Sequence, residues 1–252
     1  MRIIAISAAA GGVGCSTTAA HVALMLRAWQ HPVILLELHP RNQLGTHLGL
    51  PQPQNQGWAS LAAHGRWWGD AALSAEAGLT MLPFGPSNAQ DLSALCQLGN
   101  KQPAWLKQQI DALGQPSESV LVIDVGMPTT PLAWQALSIA HAILCCTTPA
   151  LDSVQASLTL QSQLPSQAWV RALVCRMDAR RPTHQEGWKK LRAQWAARLL
   201  DDVVHEDEAL AQSWALGCTV QLHAQHALSS HDLQGVAHTL HRWLETTPVP
   251  TP

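Results

Sequence analysis

Short apolar runs alternate with longer amphipathic stretches along almost the whole of this chain. Residues 2–6 (R-I-I-A-I), 33–38 (V-I-L-L-E-L), 79–84 (L-T-M-L-P-F), 119–124 (S-V-L-V-I-D), 141–147 (H-A-I-L-C-C-T) and 169–175 (W-V-R-A-L-V-C) read as strands, with a short edge strand at 202–205. The run at 33–38 does not alternate, which marks a strand covered on both faces. Helical spacing marks 19–29, 91–98, 105–113, 151–164, 188–200 and 233–244, and 58–75 holds two short helices around 65–68. Residues 40–56, rich in Pro, Gly and Gln, read as a polar loop. This alternation predicts an α/β fold, a mostly parallel, doubly wound sheet of about seven to eight strands flanked by helices. No repeat or linker interrupts it, so residues 1–245 are expected to form one domain, with a disordered tail at 246–252.

The first strand gives way to the first helix through S-A-A-A-G-G-V-G-C-S-T-T at 7–18. A glycine-rich turn in that place lets successive amide N–H groups point inward, and the helix N-terminus adds partial positive charge. That is a cradle for phosphate. A P-loop carries Lys before its Ser/Thr, to reach the β- and γ-phosphates; here Cys15 stands there, followed by Ser16 and Thr17. The first lysine of the chain is Lys101, so no neighbour replaces it by a small register shift. The bland alternative is an ordinary βα turn that binds nothing. Ligands of such sheets bind at the carboxyl ends of strands, where Glu37 and Asp124 also fall. Asp124 ends an apolar strand, the place of a Mg²⁺-directed carboxylate in P-loop NTPases.

Composition narrows the classes. Only 13% of the 252 residues are charged against 47% hydrophobic, where about 25% charged is usual; such a surface suits a chain that works in contact with partners. A net charge of −2 gives no global attraction to nucleic acid. There is no signal peptide and no apolar run of the ~18 residues a membrane span needs, so the expected place is the cytoplasm. The six cysteines include no C-x-x-C pair and fit a reducing compartment. His223/His226 and His238/His241 have metal-ligand spacing but no third ligand nearby.

Three further features stay open between structure and function. Arg171, Arg176, Arg180, Arg181, Lys189, Lys190, Arg192 and Arg198 face only Asp178 and Glu186 across their span. They form a solvated helix face, or a contact for nucleotide, DNA backbone or anionic lipid. Trp67 and Trp68 are adjacent and cannot both face one side of a helix, so one of them reaches a surface or two core edges meet there. The last helix carries Leu233, Val236, Ala237, Leu240, Trp243 and Leu244 on one stripe, which packs onto the sheet or grips a membrane.

The pattern G-G-V-G-x-[ST] at Gly11, Gly12, Val13, Gly14 and Ser16 resembles the deviant P-loop of the MinD/ParA ATPases, K-G-G-x-G-K-[ST], with both lysines replaced, by Ala10 and Cys15. Three more segments resemble the BcsQ (YhjQ) branch of that group, the accessory proteins of bacterial cellulose secretion: G-W-A-x-L-A-x-x-G-x-x-W-x-D-A-x-L at 57–73, L-P-F-G at 82–85 and H-x-D-E-A-x-A at 205–211. The resemblance implies a cytoplasmic regulator that binds ATP and Mg²⁺ as a nucleotide-sandwich homodimer, with recruitment to the inner membrane or cell pole. It also implies a small BcsR-like partner and contact with the cytoplasmic side of the cellulose synthase complex. It assigns Gly11, Gly12, Val13, Gly14, Cys15, Ser16 and Thr17 to phosphate, Ser16, Asp124 and Glu37 to the metal, and Arg176 to the nucleotide. Glu37 and His39 occupy the two acidic positions of the family's switch segment and are the candidate catalytic residues. A His there keeps water activation open near neutral pH, but losing the loop lysine costs on the order of 10²–10³ in rate, so slow or absent hydrolysis is expected. Cys175 replaces the family's adenine-reading Asn. The alternative is a working ATPase that positions DNA or other cargo.

Overall fold

A computed structural model describes residues 1–51, 56–75 and 78–248. The chain runs β1 (Arg2–Ala8), α1 (Cys15–Ala28), β2 (Val33–Glu37), a 3-10 turn (Leu44–Leu48), α2 (Trp58–Ala63), a second 3-10 turn (Trp68–Ala71), β3 (Leu73–Ser74), β4 (Thr80–Leu82), α3 (Ala89–Lys101), α4 (Trp105–Asp111), β5 (Val120–Gly126), α5 (Pro131–Ile139), β6 (Ala142–Thr147), α6 (Leu151–Gln161), β7 (Trp169–Met177), α7 (Pro182–Trp195), β8 (Leu199–His205), α8 (Glu208–Ala215), α9 (Val220–His223) and α10 (Leu228–Thr246). Among the described residues there is one eight-stranded sheet in the order β3-β4-β2-β5-β1-β6-β7-β8. Every neighbouring pair is parallel except β3 with β4.

Alternate residues of each buried strand feed opposite layers, as the pleat requires. Ile3 and Ala5 join one core with Leu121 and Ile123, covered by residues of α2 through α7; Ile4 and Ile6 join the other with Val122 and Leu144, covered by α1 and α10. The stripe on α10 is buried in that second layer. β1 lies between β5 and β6, so the chain leaves it toward β2 on one side and later crosses to β6 on the other. The crevice at such a reversal opens beyond the carboxyl end of the central strand, and there the glycine-rich turn sits.

The structure differs from the sequence expectation in several places, the unexpected β3, α8 and α9 among them. The helix expected over 188–200 runs Pro182–Trp195, because Ala196 takes φ +47° and turns the chain into β8 at Leu199. The expected polar loop contains the buried turn Leu44–Leu48, while its residues 52–55 lie outside the described ones. α5 was not anticipated, although the Thr130 hydroxyl caps it and Pro131 opens it. α10 continues to Thr246, one residue into the expected tail, of which residues 249–252 lie outside the described ones. The tryptophan pair divides as its spacing demands: Trp68 is 0% exposed and Trp67 39%.

Candidate functional site

α1 begins without a side-chain cap and without an acid in its first turn. Its N-cap, Gly14, has φ +96°, and Gly12 has φ +74°, a backbone that side chains resist. The Gly14 carbonyl accepts the Thr18 N–H (2.9 Å) and hydroxyl (2.8 Å), closing the first turn. The N–H groups before it have no helical partner. A Cβ on Gly11 or Gly12 would meet nothing within 4 Å; the turn faces a cavity of about 540 Å³. An uncapped helix N-terminus opening into such a space is suited to an anion.

Cys15 does not turn its side chain to that anion. Its Sγ–H donates to the Ile6 carbonyl beneath the loop (3.2 Å). The Cys146 thiol beside it and burial push the Cys15 thiol well above its ordinary range, so it stays neutral. Cys175 closes the same buried group, its Cβ 3.5 Å from the place a Gly14 side chain would take. Ala10 offers no charge either. Both lysine positions are therefore electrically silent.

Asp124 lies in the next strand at register with Ile6 and Glu37. It is completely buried, and neither carboxylate oxygen has a hydrogen bond. Burial raises its pKa to about 6, tempered by the Ser16 hydroxyl and Cys15 thiol nearby. A buried carboxylate left unpaired is costly. A divalent cation between Asp124 and Ser16 would supply what these oxygens lack, so the donor set fits Mg²⁺.

Glu37 and His39 stand at the cavity, the first with its carboxyl oxygens engaged and the second with its Nδ1 engaged. The Glu37 carboxyl accepts the N–H of Leu44 at 2.9 Å and of Phe84 at 3.5 Å, pinning the turn after β2 to the end of β4. Burial first, with Asp124 adding to it, raises its pKa to about 8, and a protonated carboxyl is a poor metal ligand. His39 accepts the Arg41 N–H at Nδ1 (3.1 Å). Its neutral ring then carries its proton on Nε2, where a general base needs a lone pair. Burial and Arg41 lower its pKa as well. The ring packs on Gly126, whose Cβ would lie 2.3 Å from it.

Arg176 lines the cavity with a left-handed backbone (φ +57°), uncommon outside glycine. Its guanidinium grips Glu206 through two bonds, 2.8 and 3.1 Å, and donates to the Gly12 carbonyl at 3.3 Å. This clasp joins the ends of β7 and β8 to the glycine turn. Arg176 is legible in the sequence and its partner is not, because the Met177–His205 register that brings Glu206 near is a property of the sheet.

Two buried histidines support the helix from below. His21 donates from Nδ1 to the Thr17 carbonyl (2.6 Å) and accepts the Val220 N–H at Nε2 (3.0 Å). His47 lies edge-on to it. Burial lowers their pKa values to about 4 and about 3. Between the ordinary carboxyl range and pH 6.5, these histidines and the two raised acids act in opposite directions on stability. Above 6.5 both histidines are neutral folded or unfolded, while Glu37 keeps its proton only in the folded state. Stability therefore falls as pH rises through 6.5 toward 8. Thermal melts without metal or nucleotide should show this decline, and Glu37→Gln should flatten it; a melting curve whose pH slope is identical in the variant would count against the assignment.

The comparisons with known proteins settle the lineage. Residues 1–240 match the model of the family described as cellulose biosynthesis protein BcsQ. The chain belongs to the BcsQ family. A BcsQ from Escherichia coli K12 is 26% identical over 250 residues, 94% of this chain and 93% of the relative. Among solved structures, the cell division ATPase MinD of Pyrococcus furiosus superposes with a TM-score of 0.77 at 18% identity, covering 96% of this chain and 99% of that one. MinD of Pyrococcus horikoshii, complexed with Mg-ADP, does so with 0.74 at 16% identity, covering 96% of each. The fold is thus the MinD/ParA-type α/β sheet, built here by a BcsQ family member. Among the described residues no helix is long and apolar enough to cross a membrane.

Proposed function

We propose that this BcsQ family member binds Mg²⁺-ATP at the N-terminus of α1 and uses the nucleotide as a regulatory ligand in cellulose secretion, with slow or no hydrolysis. The observation that carries this is the unpaired Asp124 carboxylate beneath an uncapped helix N-terminus. The metal would lie between Asp124 and Ser16 and neutralise phosphate charge. The backbone of Gly11–Thr17 would hold the phosphates, with Arg176 released from Glu206 as the nearest cation. Hydrolysis is disfavoured by the silent Ala10 and Cys15 and by the occupied Nδ1 of His39. In this reading ATP closes two copies face to face across the P-loops, and the dimer meets a small BcsR-like protein and the cytoplasmic side of the cellulose synthase complex.

Isothermal titration of the purified chain with ATP should give saturable heat with Mg²⁺ and much weaker binding in EDTA. No heat at millimolar ATP, or heat indifferent to Mg²⁺, would remove the proposal. A DNA-positioning role finds less support, because four of the eight cations in the basic stretch, Arg176 with Glu206 among them, are in ion pairs within the chain. Arg180 and Arg181 hold Asp178, Lys190 holds Glu186, and Arg171 lies over the Trp169 ring at 4.4 Å. Duplex DNA is accordingly expected not to bind at physiological salt; salt-sensitive micromolar binding lost on neutralising these arginines would restore that role.

A further inference from the structure

The cavity over the glycine turn has two unlike sides. Toward β2 and β5 it is lined by Glu37, His39, Gly126 and Met127, near buried Asp124. This is the side suited to the metal and the terminal phosphate, so the base of a nucleotide extends the other way, toward β7, β8 and α8. That end is walled by Val204, Leu210, Ala211, Trp214 and Leu233, and the Trp214 side lies 43% exposed. The polar side chains at the end of β8 and the start of α8 are already engaged. His205 bonds Asp232, Glu206 bonds Arg176, and Asp207 caps α8 through the Ala209 N–H while accepting from Ser229. Cys175 is buried among other thiols and offers no amide.

We infer that Trp214 is the platform on which the nucleobase stacks, and that the chain accepts nucleoside triphosphates with little regard to the identity of the base. Every base presents a π-face to an indole, whereas discrimination needs hydrogen-bonding groups left unpaired by the wrong base. An apolar shelf whose polar neighbours are spoken for provides the first and not the second. The inference rests on the phosphate site proposed above, and its test separates the two.

Inorganic tripolyphosphate, ATP, GTP and CTP are titrated, each with Mg²⁺, into the wild-type chain and into Trp214→Ala and Trp214→Phe. A half-exposed side chain leaves the fold intact when shortened, which circular dichroism checks. Tripolyphosphate binding tests the phosphate site alone. ATP and GTP should agree within about fivefold, both should bind at least about tenfold more tightly than tripolyphosphate, and CTP should fall between them. Trp214→Ala should bring the nucleotides down to about the level of tripolyphosphate without moving tripolyphosphate itself, and Trp214→Phe should restore most of the difference. An ATP preference over GTP beyond about fiftyfold would mean the base edge is read and would overturn the inference. So would an alanine variant that keeps the full advantage of ATP over tripolyphosphate. If tripolyphosphate and the nucleotides all fail to bind, the phosphate site itself is wrong and the inference goes with it.

Discussion

Replacing Asp124 by Asn should uncouple nucleotide binding from Mg²⁺ and, at the same time, change how the protein's stability depends on pH. The wild-type carboxylate is fully buried without a hydrogen bond, and its pKa stands at about 6 against an ordinary 3.8. The sign follows from linkage. A raised carboxyl pKa means the folded state holds the proton more tightly, so the penalty is absent below 3.8, grows through the interval and is complete above 6. At about 1.4 kcal/mol per unit, the penalty amounts to about 3 kcal/mol at neutral pH. Asparagine removes the charge but brings amide N–H groups that also want partners, at about 1–3 kcal/mol. The absolute stability of the variant is therefore close to wild type. The telling quantity is the difference between them, which should move by about 2 kcal/mol in favour of asparagine between pH 4 and pH 7. Chemical denaturation at both values measures it. In binding, loss of a metal-directed carboxylate should cost on the order of 10–100-fold in the Mg²⁺-dependent part of nucleotide affinity. An unchanged Mg²⁺ dependence together with a flat stability difference would show that Asp124 is a packing residue.

Part of this site is legible in the chain because it depends on neighbours in sequence. The glycines at 11, 12 and 14 declare the turn, and two of them do take positive φ. The acidic residues ending 33–38 and 119–124 fall at the carboxyl ends of adjacent parallel strands, with Glu37 opposite Asp124. The apolar stripe of the last helix reports its packing in the same way. What sequence could not convey is orientation. Glu37 and Asp124 look equivalent as strand-end acids, yet Glu37 accepts two backbone N–H groups, whereas Asp124 has Ser16, Cys15 and Gly126 near it but no partner in hydrogen-bond geometry. His39 has the right residue type for a base, but the Arg41 N–H fixes its tautomer. Glu206 and Trp214 became visible only when β7 and β8 paired and set α8 beside the cavity. The misread end of α7 has the same origin: Ala-Ala-Arg-Leu-Leu favours helix locally, and one positive φ at Ala196 overrides it.

Restoring the missing cation should have the largest effect on chemistry. Cys15→Lys places a flexible four-carbon stem at the first position of α1, where the present thiol is held beneath the loop by the Ile6 carbonyl. Without ligand, Asp124, close enough to act on the Cys15 thiol, is a partner for the ammonium, which would also offset the cost of its burial. With nucleotide present, the charge is available to phosphate. A hydrogen bond to a charged group is worth roughly 1.5–3 kcal/mol, so ATP affinity should rise about 10–100-fold. If transition-state charge is what limits hydrolysis, turnover should rise by up to about 10²–10³. The added stem has to be housed in a tightly packed place, and Cys15→Met controls for that, since it brings similar length without charge. Lysine and methionine variants of equal thermal stability, with only lysine binding ATP more tightly, would establish that charge rather than room is missing. Equal ATP affinity in both would mean that position 15 does not face the phosphates at all. In the lysine background, His39→Ala should leave turnover within about twofold, because Nδ1 is committed to the Arg41 N–H and Nε2 then carries the proton. Wild-type hydrolysis that is robust and abolished by His39→Ala would reverse that conclusion and make His39 the base.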